Sequence, residues 1–196
     1  MVMRALALTL LGVALCLAPR TAVADPVTLR HGAPERGLVF QAGWPDVSAA
    51  WWMGPQLGLA VEWKLPASAV AASVGTRRRL PLGSGPWALD AFLAGGLLVP
   101  TVNPGLAISA TPAVQLGRRG ERFELDLGLA MPMELQLLTE RRLRAPLLLE
   151  AGVGGDLGPV ALGLRGGFGA VLTTPGTLGF LVQWSLWVWV PAISPR

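Results

Sequence analysis

Glu124 and Asp126 stand two residues apart in an alternating run, so on an extended chain their carboxylates share one face about 7 Å apart. Paired carboxylates serve general acid–base chemistry when a nucleophile or a substrate pocket accompanies them. Neither accompanies these two. The one histidine, His31, precedes the first regular segment and reads as a solvated residue rather than a base that activates serine or water. The one cysteine, Cys16, falls in an apolar leader, where Leu15 stands in place of the small residue that lipoprotein processing requires. No phosphate loop, metal-ligand spacing or catalytic triad is present, so the chain reads as non-enzymatic and without a cofactor.

What positions the two carboxylates is more telling. From Arg122 to Leu137 the odd positions are Phe123, Leu125, Leu127, Leu129, Met131, Met133, Leu135 and Leu137, and small or charged residues mostly fill the even ones. Period two belongs to a strand, with an apolar row on one face and a polar row on the other. At roughly 3.3 Å per residue an unbroken strand of this length reaches about 50 Å, enough to cross a bilayer at a tilt.

The same alternation recurs between Gly37 and Trp44, Val47 and Met53, Leu57 and Leu65, Ala69 and Leu80, and Trp87 and Val99. It returns from Leu106 to Leu116, Leu147 to Val153, Val160 to Leu172 and Leu178 to Val190, which gives ten candidate strands. Phe92 is a large residue on the polar parity of its segment, and Pro112 is an awkward guest on the apolar side of another. The connections form two interleaved sets. One holds Met53 to Gln56, Gly83 to Pro86, Gly117 to Glu121 and Gly154 to Pro159; the other holds Trp44 to Asp46, Leu65 to Ala67, Pro100 to Gly105, Thr139 to Arg144 and Thr173 to Thr177. Interleaved short turns are what an up-and-down barrel requires, and in hydrocarbon closure is obligatory because no backbone edge can stay unpaired. The expected fold is therefore all-β: an antiparallel up-and-down transmembrane β-barrel of about ten strands, with eight as the alternative count.

If the apolar parity faces lipid, the other lines the lumen with Glu62, Asp90, Glu124, Asp126, Glu134 and Glu150 beside Lys64, Arg77, Arg79 and Arg165. Both signs of charge occur, which argues against ion selection. A salt-bridged filling is the favoured reading of this lumen, because about ten strands leave a narrow interior; a channel lining or small ligand pocket is the sharper alternative. Most of the eight tryptophans lie near expected strand ends, as membrane-interface belts demand.

Composition agrees. Only 14% of residues are charged, against about 25% in soluble domains, and the mean hydropathy is +0.52, yet no later stretch is long and apolar enough for a membrane helix. Residues 1–24 read as a secretory signal: Arg4 in a basic start, an apolar core from Ala5 to Leu17, and Ala22-Val23-Ala24 as the cleavage site. Residues 25–37 then form an N-terminal extension, 38–190 the barrel and 191–196 a tail. Without Arg4 and Arg20, fourteen basic residues face twelve acidic ones and are scattered, which excludes a nucleic-acid-binding surface. The chain beyond the signal has no cysteine, which excludes disulfides and thiolate metal sites there.

With its leader, alternating strands, short turns and aromatic-rich last segment from Phe180 to Val190, the chain resembles small outer-membrane β-barrel proteins of Gram-negative bacteria across Leu38 to Val190. The resemblance implies export, residence in the outer membrane and its lipid, and recognition of the last strand by barrel-assembly machinery. In that family the signal usually ends on a terminal aromatic residue, whereas here Pro191 to Arg196 follow. The implied roles are structural, adhesive or narrow-pore transport. The rival expectation is a secreted or periplasmic lipocalin-like barrel that carries an apolar ligand with the apolar row turned inward.

Overall fold

The computed structural model describes residues 36–192, apart from 66–68, 102–104, 121–122, 139–141 and 175. The leader with Cys16, and His31, lie outside the described residues. Eleven strand segments follow one another: β1 (Gly37–Trp44), β2 (Asp46–Trp52), β3 (Leu57–Lys64), β4 (Ala69–Pro81), β5 (Trp87–Pro100), β6 (Ala107–Arg119), β7 (Phe123–Ala130), β8 (Met133–Gln136), β9 (Leu143–Asp156), β10 (Ala161–Thr173) and β11 (Thr177–Pro191). All pairings are antiparallel and, apart from β7 and β8, join sequence neighbours; β11 pairs back onto β1, which closes a barrel. The ring has ten staves, because β7 and β8 both lie between β6 and β9 and keep one register with each of them.

One expectation is corrected here. The run from Arg122 to Leu137 is not an unbroken strand: it is interrupted at Met131-Pro132 between β7 and β8. Pro132 has no N–H to give to the ladder, and its neighbour β6 carries Pro112 at the level of Met131, whose N–H reaches the Pro112 carbonyl at 3.0 Å. Two prolines in adjoining strands thus thin the ladder locally without shifting it, so the apolar row runs on from Met131 to Met133.

The registers set the dimensions. Followed once round the ring, they return to β1 about twelve residues from the start; at roughly 3.3 Å per residue against ten gaps of roughly 4.8 Å, this tilts the strands by about 40°. The backbone cylinder is then about 10 Å in radius, so inward side chains from opposite walls meet. One rim is formed where β1 begins and β11 finishes, together with the turns after β2, β4, β6 and β9; it is called the terminal rim below. The far rim carries the remaining turns.

Alternation decides what enters the cylinder. In β3, Gly58, Ala60, Glu62 and Lys64 are buried while Leu57, Leu59, Val61 and Trp63 are exposed, and the same division holds along β7. The centre of the barrel holds Val39, Trp52, Phe92, Leu148 and Trp187 in one buried cluster. Phe92 therefore obeys its parity, as an inward residue of a mostly small and polar row.

Candidate functional site

Among the described residues the interior gathers the polar side chains, and its charges fall into groups set by strand register. Near the far rim, Lys64 on β3 is fully buried, with Nζ 2.8 Å from Asp46 Oδ2 and 2.6 Å from Glu62 Oε2. Gln41 on β1 donates through Nε2 to the other Asp46 oxygen at 3.1 Å. Across the barrel, Arg165 on β10 reaches two strands: its guanidinium lies 2.6 Å from Asp126 on β7 and 3.5 Å from Glu150 on β9. Gln183 on β11 donates to the second Glu150 oxygen. Gly152 stands beneath this group because a Cβ there would come within 2.5 Å of the Asp126 carboxylate.

Toward the terminal rim the pairs are looser and wetter. Arg119 meets Glu124 at 3.1 Å, and Arg79 approaches Asp90 at 4.0 Å, with the arginine side chains about a third exposed. Arg77 lies over the Trp52 ring, 5.0 Å from its centroid. At the far rim Glu134 stands directly opposite Arg144 in the β8–β9 register.

The ten charged residues singled out from the sequence share the parity of the buried residues in their strands, and they form separate groups rather than one lining. Glu62 and Lys64 belong to one, Asp126, Glu150 and Arg165 to a second, and Arg77, Arg79, Asp90 and Glu124 occupy the terminal rim. Glu134 sits apart near the other end. Sequence reading missed several partners. Asp46 and Arg144 read as turn residues in the sequence, although Asp46 has the parity of Ser48 and Ala50 and opens β2. Gln41 and Gln183 are marked only by parity within their strands, and Arg119, inside the expected Gly117 to Glu121 turn, ends β6 instead.

The tryptophans need a correction. Trp44, Trp51, Trp63, Trp87 and Trp184 face outward, but Trp52 and Trp187 are buried inside and Trp189 packs against the same central cluster. Residues 51 and 52 are neighbours on a strand and must face opposite ways, so both could never join one belt. The Trp187 indole lies across β9 and β10 where Gly154 and Gly163 leave room; a Cβ at either would fall 2.5 Å from ring carbon Cζ2. Gly163→Val is expected to overpack this site and cost about 1–3 kcal/mol, read as a lowered urea midpoint, whereas Gly179→Ala, which meets open space, leaves the midpoint in place.

No protein-family model, curated protein or solved structure matches this chain. Its chemistry therefore rests on the geometry alone. Among the described residues seven inward acids (Asp46, Glu62, Asp90, Glu124, Asp126, Glu134, Glu150) face six inward bases (Lys64, Arg77, Arg79, Arg119, Arg144, Arg165), and the same interior holds the buried apolar cluster. Near-balance of charge with direct pairing is the arrangement that offsets the desolvation of buried ions. Such an interior ties the walls together.

Proposed function

We propose that this chain is a non-enzymatic integral barrel of an outer membrane, exported by its leader, with a filled interior and a structural rather than conducting role. The observation that carries this reading is the outward face. Among the described strand residues it bears no Asp, Glu or Lys, and its only cations, Arg78 and Arg118, stand near the terminal rim. Above them every stave turns apolar or small residues outward, and where the wall is tallest this band, from the level of Leu38 and Leu125 to that of Leu172 and Phe180, is roughly 25 Å high, the height of the lipid-facing band of membrane barrels. A water-soluble monomer does not leave a continuous apolar belt of that extent exposed. At its lower edge Arg118 rests against Trp87 and Phe123, 6.0 and 5.7 Å from the ring centroids, as side chains at a lipid–water interface do.

The lipocalin-like alternative needs the apolar row inside and a polar exterior. Burial favours the opposite, with Leu127 and Leu129 about half exposed and Glu62 and Lys64 fully enclosed. The closing strand β11, rich in aromatic residues, is the segment proposed to engage barrel-assembly machinery. Short connections at both rims give little surface for a receptor or adhesin.

The reading is tested by fractionation. The protein is expected to stay in the membrane pellet after alkaline carbonate extraction and to migrate differently on gels before and after boiling; recovery from the soluble fraction would overturn it. In planar bilayers the purified protein is expected to give little or no conductance, because the aromatic plug and paired charges fill the bore. Steady ion-selective steps, altered by joint neutralisation of Arg77, Arg79 and Arg165, would make it a channel instead.

A further inference from the structure

The barrel wall is not of even height. The β1–β11 ladder stops at Trp44 opposite Trp184, while β11 continues seven residues further, from Gln183 back to Thr177, toward the far rim. The ladder cannot continue on the β1 side, because the next residue is Pro45, which lacks an N–H and carries the chain straight into β2. A notch results between the β1–β2 hairpin and the taller β11.

At this notch lies a small, half-open recess of about 10 Å³, room for a group the size of a water molecule or a hydroxyl. Its mouth is made of Trp44, Pro45 and Trp184, which belong to the outward face; its floor includes Gln41, Asp46 and Arg165, which belong to the interior. Two floor atoms lack hydrogen-bond partners although their residues are almost fully enclosed: the Gln41 Oε1 acceptor and the Arg165 Nε–H donor, in residues 4% and 2% exposed. Leaving such groups unmet costs about 1–3 kcal/mol each, so a ligand that satisfies both gains from it.

We propose that this recess is a lateral binding site for the hydroxyl head of a neutral single-chain amphiphile, whose tail lies outside along Trp44 and Trp184. A hydroxyl donates one hydrogen bond and accepts others, which matches one orphan acceptor and one orphan donor on residues that line the same recess. Charge selects against an anionic head, since the cations Lys64 and Arg165 are outnumbered around the floor by Asp46, Glu62, Asp126 and Glu150. An apolar band with an aromatic mouth at this level delivers the amphiphile from the bilayer. The inference rests on the membrane reading for that supply.

The test uses the protein in isolated membrane vesicles and a monoacylglycerol that carries a photoreactive diazirine in its acyl chain. Crosslinks are expected to be saturable and to map to the Trp44–Asp46 segment and Trp184. Excess monolauroylglycerol is expected to suppress them, and laurate at alkaline pH to leave them in place. Gln41→Leu, which removes the acceptor, is expected to lower the yield about fivefold. Labelling spread evenly over outward residues such as Leu129 and Phe168, suppression by laurate equal to that by the neutral competitor, or an unchanged yield in a folded Gln41→Leu protein would each overturn the inference. Should that variant fail to fold, the crosslink map and the two competitors decide on the wild-type protein alone. Failure to recover the protein from membranes at all would instead count against the membrane reading.

Discussion

Leu129→Arg, Leu149→Arg and Phe168→Arg are each expected to prevent accumulation of the folded barrel, at a cost of roughly 2–4 kcal/mol per substitution. The three positions stand side by side on adjoining staves, Leu129 opposite Leu149 and Leu149 opposite Phe168, with Val114 and Val182 continuing the row. All five side chains are between 40% and 62% exposed, and they lie midway up the apolar band. In water an exposed leucine replaced by arginine changes stability by less than about 0.5 kcal/mol, since nothing packed is disturbed and the cation is solvated. In hydrocarbon the same cation has no solvent. Leu127→Arg belongs with this series, while Ala130→Ser, which adds a hydroxyl on the inward parity, is expected to be tolerated. Pulse-labelling of variants followed by the heat-dependent gel shift measures the folded fraction. Wild-type levels of folded protein in all of the arginine variants would mean that the outward row is wet.

The second large effect lies inside. Arg165→Met removes the cation that Asp126 and Glu150 share and leaves two carboxylates enclosed without it, at a cost of about 3–5 kcal/mol. The same reasoning predicts rescue: Asp126→Asn and Glu150→Gln in the Arg165→Met background remove the stranded charges and restore much of the loss, because replacing all members of a buried ionic group is often close to neutral. Equilibrium unfolding in urea from detergent micelles provides the comparison. If Arg165→Met costs no more than Arg79→Met, whose partner Asp90 is 4.0 Å away at the wetter terminal rim, the buried group is not what ties β7, β9 and β10 together.

Much of this architecture is readable before any coordinates. A wall with one apolar and one polar face repeats the same binary rule on every stave, so Leu57 to Lys64 and Phe123 to Ala130 declare their two faces by alternation alone. Turn residues then count the staves. What parity could not supply is whatever depends on the stagger between strands. That Arg165 would meet Asp126 on β7 as well as Glu150 on the adjoining β9 follows from a tilt that no single strand records. Asp46 and Arg144 sit at strand ends, where Pro45 and the loop before Leu143 resemble turns, so their inward orientation was hidden by their neighbours. Trp52 and Trp187 mislead for another reason: an aromatic near a strand end suits both an interface belt and a barrel plug, and only the space left by glycines such as Gly154 and Gly163 distinguishes them. The lateral recess was illegible for the same cause as the ion groups, because it exists only where the short β1 lies against the longer β11.

The most direct measurement of the central claim, that the outward apolar row lies in lipid, is cysteine accessibility in intact membranes. Single cysteines replace Leu129, Leu149 and Phe168 in the middle of the band, and Leu82, an exposed leucine in the turn after β4, serves as the reference. A membrane-impermeant maleimide is expected to label Leu82→Cys readily once the outer membrane is permeabilised and to leave the three mid-band cysteines unmodified until the barrel is unfolded. Labelling of all four at similar rates would contradict the account and place the apolar face in water.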